Sequence, residues 1–184
     1  DVREDLRLYY DEIGRLDRYV GRVIAKLKQQ SVDDNTLVLF ISDNGRPFPR
    51  DKTTLYDGGI RTPWIVRWPA GVSAGQTTDA LVSSVDIAPT FLQLAGGSPD
   101  AVVSEGKSFA PTLDAATVGH RDFAFAEDHW HDYEDHARCI VDCRASRGGD
   151  AGQLIRRADS RDAAPLLPTR DDRHRWSGTV RLHG

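Results

Sequence analysis

The feature that most constrains this chain is a long helical repeat that runs into a short, wholly apolar stretch. Leu6, Tyr9, Ile13, Leu16, Val20, Val23 and Leu27 recur at helical spacing within residues 5–30, which makes one apolar stripe on a polar segment. Arg and Lys gather toward its end, where they complement the negative pole of the helix dipole. Residues 31–35 are turn-rich and end the helix. Residues 36–42 (TLVLFIS) follow. They are β-branched and aromatic, and their short, unbroken apolarity predicts a strand buried on both faces, as in a parallel sheet. Helix, tight turn and buried strand form half of a βαβ unit, so the expected fold class is α/β.

The later chain fits that class. Residues 46–59 read as a loop containing Pro47, Pro49, Gly58 and Gly59. Residues 64–68 (WIVRW) read as a second strand, with Trp64 and Trp68 in the core. Residues 69–78 read as loop. Asp86 is expected to cap a short helix that accepts Pro89 in its first turn and buries Phe91, Leu92 and Leu94. Gly96 and Gly97 stop it. Residues 123–126 are expected to open a second, smaller sheet. No internal repeat is visible.

Length and charge bound the function. The chain has 184 residues, enough for one sizeable core. Its net charge of −4 points away from nucleic acid or an anionic membrane as partner. Its apolar runs are too short to span a membrane. It contains no Met and begins at Asp1, so we expect an N-terminus that has been processed, trimmed or truncated. The compartment is open, with periplasmic, secreted and lysosome-like settings all compatible with a longer parent. Cys139 and Cys143 fit either a local disulfide or two thiols. From residue 144 onward Lys, Glu, Phe and Tyr disappear while Arg, Asp, Ala and Gly dominate. That segment reads either as a disordered tail or as a stretch translated out of frame from a GC-rich gene.

The chemistry concentrates just past residues 36–42. Asp43 and Asn44 place a carboxylate and an amide oxygen side by side at a strand end, where open α/β sheets hold ligands. Such oxygens make half of a hard-cation site, although Asp-Asn-Gly is also ordinary turn chemistry. Lys52 is one of only four lysines, and an ammonium near a divalent cation suits a tetrahedral dianion. A solvated surface lysine is the alternative. Gly58 and Gly59 allow tight turns or close backbone approach.

Taken together, Ser42-Asp43-Asn44-Gly45, then Lys52, then Leu55-Tyr56-Asp57-Gly58-Gly59-Ile60-Arg61-Thr62-Pro63 resemble the type I sulfatases of the alkaline-phosphatase superfamily. Residues 10–27, residues 85–91 (VDIAPTF), Gly106-Lys107-Ser108 and Leu113 extend the resemblance over residues 5–143. Residues 43–49 and Trp130-His131-Asp132-Tyr133 are most similar to the sulfamidase, or heparan N-sulfatase-like, branch. The resemblance implies a fold in which residues 1–115 are the C-terminal part of an alkaline-phosphatase-like sulfatase sheet with flanking helices. Residues 116–143 would then start a small C-terminal subdomain, and residues 144–184 would be an atypical tail.

It also implies hydrolysis of a sulfuric ester or sulfamate on a sulfated carbohydrate. In that family a formylglycine nucleophile works beside a divalent cation, usually calcium. Asp43 and Asn44 would be metal ligands, and Asp43 would also help to activate the nucleophile. Lys52 would bind sulfate and act in catalysis, and His131 would contact substrate. The family's formylglycine motif lies far N-terminal to the Asp-Asn-Gly strand, so this chain is expected to be inactive alone, with half its metal shell missing. Cys143-Arg144-Ala145-Ser146-Arg147 matches the pattern Cys-x-Ala-x-Arg, but on the wrong side of that strand. Residues 128–136 gather three His and four acidic side chains, read as a substrate-mouth loop, a metal site or solvated surface. Two other functions stand beside the sulfatase reading: a phosphodiesterase or phosphonate hydrolase of the same superfamily, and a non-catalytic remnant with a binding role.

Overall fold

The structure, a computed structural model, describes residues 1–129, 136–142, 154–158 and 180–182. Helix α1 spans Val2–Gln29, starting earlier than the apolar repeat because the Asp1 side chain accepts from the Arg3 amide at 3.2 Å. It ends where Ser31 turns left-handed, with φ 56°. The Ser31 and Val32 amides then donate to the Lys28 and Leu27 carbonyls at 2.9 and 3.2 Å, satisfying two orphan acceptors. The apolar stripe is only partly covered. Leu6, Tyr9, Val20, Ile24 and Leu27 are half-buried, whereas Ile13, Leu16 and Val23 are exposed.

Strand β1 (Val38–Ile41) lies at the edge of a four-stranded sheet. After it come helix α2 (Asp57–Ile60), strand β2 (Trp64–Arg67) and the two-residue strand β3 (Thr77–Thr78). Both α2 and β3 fall where the sequence pattern reads as loop. β1 and β2 pair antiparallel, with Ile41 opposite Trp64, against the expectation of parallel neighbours. The reason lies in the connection. A parallel neighbour needs a crossover, usually a helix, and four-residue α2 cannot cover a sheet face. Instead the Gly45 amide donates to the Gly59 carbonyl at 2.9 Å, which returns the chain to the end of the sheet that it has just left.

Helix α3 (Ile87–Leu94) follows a 3₁₀ turn at Ser84–Asp86. It closes as expected at Gly96, whose φ is 84°. The amides of Gly96 and Gly97 donate to the Gln93 and Leu92 carbonyls, each at 2.9 Å. Helix α4 is Ala110–Asp114. Strands β4 (Phe123–His129), β5 (His136–Asp142) and β6 (Leu154–Ala158) then form a separate antiparallel sheet in that order, as the expected second sheet requires. β7 (Val180–Leu182) joins the first sheet between β2 and β3, parallel to β2. β6 and β7 come from the compositionally atypical segment 144–184. None of the described helices is long and apolar enough to cross a membrane.

The core gathers on one face of β2. Val66 and Phe109 are almost fully buried and pack with Val72 and Leu113. Trp64 and Trp68 border this cluster, as their alternation with Val66 predicts. The Trp64 and Phe109 rings meet edge to face at 5.5 Å. Opposite the core, Arg67 ties the α1–β1 connection down through the Asp33 carbonyl and carboxylate, both at 3.3 Å. Phe109 holds α4 against β2, so Phe109→Ala is expected to lower stability by about 3–5 kcal/mol, measured by urea denaturation. A loss below about 1 kcal/mol would show that this contact is marginal to the core.

Candidate active site

The site grows from three glycines. A side chain on Gly45 would overlap the Gly58 carbonyl, one on Gly58 would overlap the Asp51 carboxylate, and one on Gly59 would overlap the Thr54 and Asp51 carbonyls. The turn after β1 and the N-terminal half of α2 therefore touch backbone to backbone, which only glycine permits. This lock fixes Asp43 and Asn44 at the strand end. The Ser42 hydroxyl donates to the Asn44 carbonyl at 2.8 Å. Asn44 Nδ2 donates to the Gly45 carbonyl at 2.9 Å, which leaves its Oδ1 as an acceptor. Asp43 is exposed.

Asp43 lines a cavity of about 620 Å³ together with Asp57, Arg61, Ser83, Ser84 and Glu127. Ile41, Ile60, Trp64, Leu81, Val82 and Phe125 supply apolar lining. Asp57 opens α2 and Arg61 caps its C-terminal end, one helical turn away, 3.4 Å from carboxylate to guanidinium. Glu127 and Arg138 face each other across β4 and β5, with Arg138 Nε at 3.5 Å from the carboxylate. Glu127 gives no signal in the sequence beyond its strand. Asp57 and Arg61 sit inside the quoted motif, and their i,i+4 spacing is the cue that would have found them.

Lys52 and Asn44 lie outside the cavity lining. Lys52 is exposed, but its backbone is tethered to the site. Its amide donates to the Arg46 carbonyl at 2.9 Å, two residues past Asn44. Buried Asp51 anchors the same loop by accepting from Arg46 Nε at 2.8 Å. Arg50 and Thr53, on either side, hold left-handed φ values of 70° and 62°, a strain on the order of 1–2 kcal/mol each. His131 and the Cys143 pattern lie outside the described residues, and so does any pairing of Cys139 with Cys143. Asp43 and Asn44 are the only residues of the expected metal set within this chain's strand-end turn, a carboxylate and an amide oxygen side by side. Among the described residues no group of three or more His, Cys, Asp or Glu side chains could hold a metal.

A second polar centre forms around Asp86, next to the cavity-lining residues Ser83 and Ser84. Asp86 is fully buried, yet it does not cap α3 with its side chain as the sequence suggests. Its carboxylate turns back to accept from the Ser83 amide (2.9 Å), the Lys107 amide (2.8 Å) and Arg121 Nε (2.8 Å), with Arg121 Nη2 on its other oxygen and His120 Nε2 at 3.0 Å. Burial alone would raise its pKa. The Arg121 and His120 side chains, together with the two amides, outweigh that and hold the carboxyl well below the usual range.

A sequence profile of the sulfatase family matches residues 1–98, more than half of the chain. The chain belongs to the sulfatase family. It is 42% identical over 92 residues to human N-sulphoglucosamine sulphohydrolase, a stretch that is 50% of this chain and 18% of that protein. It is 37% identical over 108 residues to an ulvan-active sulfatase of Formosa agariphila, covering 59% of this chain and 18% of that protein. It is 36% identical over 120 residues to human N-acetylgalactosamine-6-sulfatase, covering 57% and 23%. The chain thus spans about a fifth of the length of these relatives. The N-sulfatase branch suggested by residues 43–49 is represented among them, beside other sulfatases.

Two outcomes follow from this geometry. Gly45→Ala is expected to lower stability by about 1–3 kcal/mol, read as a drop in Tm, since the new methyl meets rigid backbone. The same substitution at exposed Gly21, which has nothing nearby, should be neutral or mildly stabilising. For Asp86 the sign is that of a depressed carboxylate. Its contribution is complete above the ordinary aspartate pKa of about 4 and is lost as pH falls toward the lower native value. Asp86→Asn should lower Tm at neutral pH and flatten the fall in Tm between about pH 5 and pH 2. An unchanged acid limb would detach Asp86 from the acid lability of the fold.

Proposed function

We propose that this sulfatase-family chain carries part of the cation shell and the sulfate-gripping amine of a hydrolase that cleaves sulfate from a sulfated sugar. The observation that carries the reading is the glycine lock. It presents the Asp43 carboxylate and leaves Asn44 Oδ1 available at a strand end, beside a cavity large enough for a sugar ring. Hard oxygen donors of this kind suit calcium, which takes six to eight oxygens, so water and segments outside this chain complete the shell. When bound, the ion supplies Lewis-acid polarisation of the sulfuryl oxygens.

The chain's own residues do the rest of the binding. Lys52, on the loop whose backbone bonds the Arg46 carbonyl, would bind sulfate oxygens and stabilise the charge that builds on the leaving group. Exposed Phe125 offers an apolar face to the C–H side of a sugar ring. Asp57 and Glu127 offer carboxylates to its hydroxyls, the mixed lining that small polar ligands require. The nucleophile belongs to another segment of a longer protein, and the chain alone is inactive.

The test uses a polypeptide that joins this chain to a formylglycine-bearing segment. Calcium-dependent sulfate release from N-sulfoglucosamine or galactose 6-sulfate is the expected result. Lys52→Ala should cut kcat by roughly 10²–10³-fold. Near-normal turnover in that variant removes Lys52 from the mechanism. Preferential cleavage of a phosphodiester would move the chain to the phosphodiesterase reading, and no turnover of either class, with the segments correctly assembled, would favour a binding role.

A further inference from the structure

Two walls of the cavity hang on one carboxylate that does not itself line it. One wall is residues 80–84, and its Ser83 amide donates to Asp86 Oδ2 at 2.9 Å. Another is β4, where residues 124–127 face the cavity. The chain enters β4 through His120 and Arg121, whose side chains are 5% and 12% exposed and both bond Asp86. Arg121 grips both carboxylate oxygens and also donates to the Glu105 carbonyl at 2.9 Å. A two-pronged guanidinium–carboxylate pair fixes angle as well as distance.

The strand pairing gives this contact its weight. The β4–β5–β6 sheet shares no ladder with the sheet of β1, β2, β3 and β7 among the described residues. Backbone pairing therefore does not set where β4 stands relative to Asp43 at the end of β1. The Asp86 backbone is itself tied to the core. Its carbonyl accepts from the Thr90 hydroxyl at 2.6 Å, and the Thr90 oxygen accepts from the Phe109 amide at 2.8 Å.

We propose that Asp86, acting through Arg121, is the positioning residue of this site. It sets the separation between the Ser83–Ser84 wall and the Phe125–Glu127 wall, and so the width of the slot that receives the sugar. The choice of sugar as occupant rests on the function proposed above; the coupling of the walls does not.

The experiment compares the full chain with Arg121→Gln, Arg121→Lys and Asp86→Asn. Amide hydrogen exchange is read without ligand. Arg121→Gln is expected to speed exchange at least tenfold in residues 124–127 while β1 and β2 keep their protection, with Arg121→Lys in between because it keeps the charge and loses the fork. If Arg121→Gln does not fold, Asp86→Asn carries the same comparison. Uniform acceleration across both sheets, or none, would overturn the proposal, because a general stabiliser loosens everything alike. Galactose 6-sulfate and inorganic sulfate are then titrated by NMR. Weakened sugar binding with sulfate binding unchanged supports slot-setting, and equal affinity of variant and parent for the sugar sinks it. Absence of sugar binding by the unmodified chain, with β4 selectively loosened in the variant, overturns the sugar reading and leaves the coupling of the walls standing.

Discussion

Backbone touching backbone at Gly45, Gly58 and Gly59 is the constraint on which the candidate site depends. Steric fit holds the Asp-Asn turn in place, together with the amide–carbonyl bond between Gly45 and Gly59 and the Ser42 and Asn44 side-chain bonds to the turn's own carbonyls. The same closure decides topology, because a chain folded back to its own strand end can only re-enter beside that strand in the opposite direction. The local sequence of a loop has thus fixed both the direction of β2 and the place of the site.

The lock and the Asp86 cluster divide the labour. The lock is built from absent side chains and sets the geometry of Asp43 and Asn44. The Asp86 cluster is built from charge buried at full hydrogen-bond satisfaction. Removing a single partner from such a cluster leaves the others desolvated and uncompensated. A buried carboxylate with four bonded neighbours is thereby a strong specifier of one arrangement, even where its net contribution to stability is modest.

Much of this was legible in sequence. The helix, the two strands at residues 36–42 and 64–68, the glycine stop of α3 and the start of the second sheet all follow from periodicity and turn residues, which are local properties. The family followed from the order of motifs between Ser42 and Pro63. What escaped was non-local. Antiparallel pairing of β1 with β2 depends on how a loop closes. The partnership of Asp86 with Arg121 joins residues 35 positions apart. Glu127 enters the cavity only because the second sheet is docked there. Asp86 at the head of a helix reads as a cap from its neighbours alone, and its real partners lie across the fold.

Lys52 rides on a loop whose flanking residues, Arg50 and Thr53, sit in a backbone region that glycine occupies more easily. A glycine at either place would relieve that conformation and also widen the range of shapes the loop samples. The protein keeps bulkier residues there, with Arg50 laid over the Tyr56 ring at 5.0 Å and the Thr53 hydroxyl donating to the Lys52 carbonyl at 2.6 Å. The amine is consequently carried on a tensioned spring instead of a slack tether. Mutations that make this loop more comfortable should leave the place of the Lys52 amine less exact.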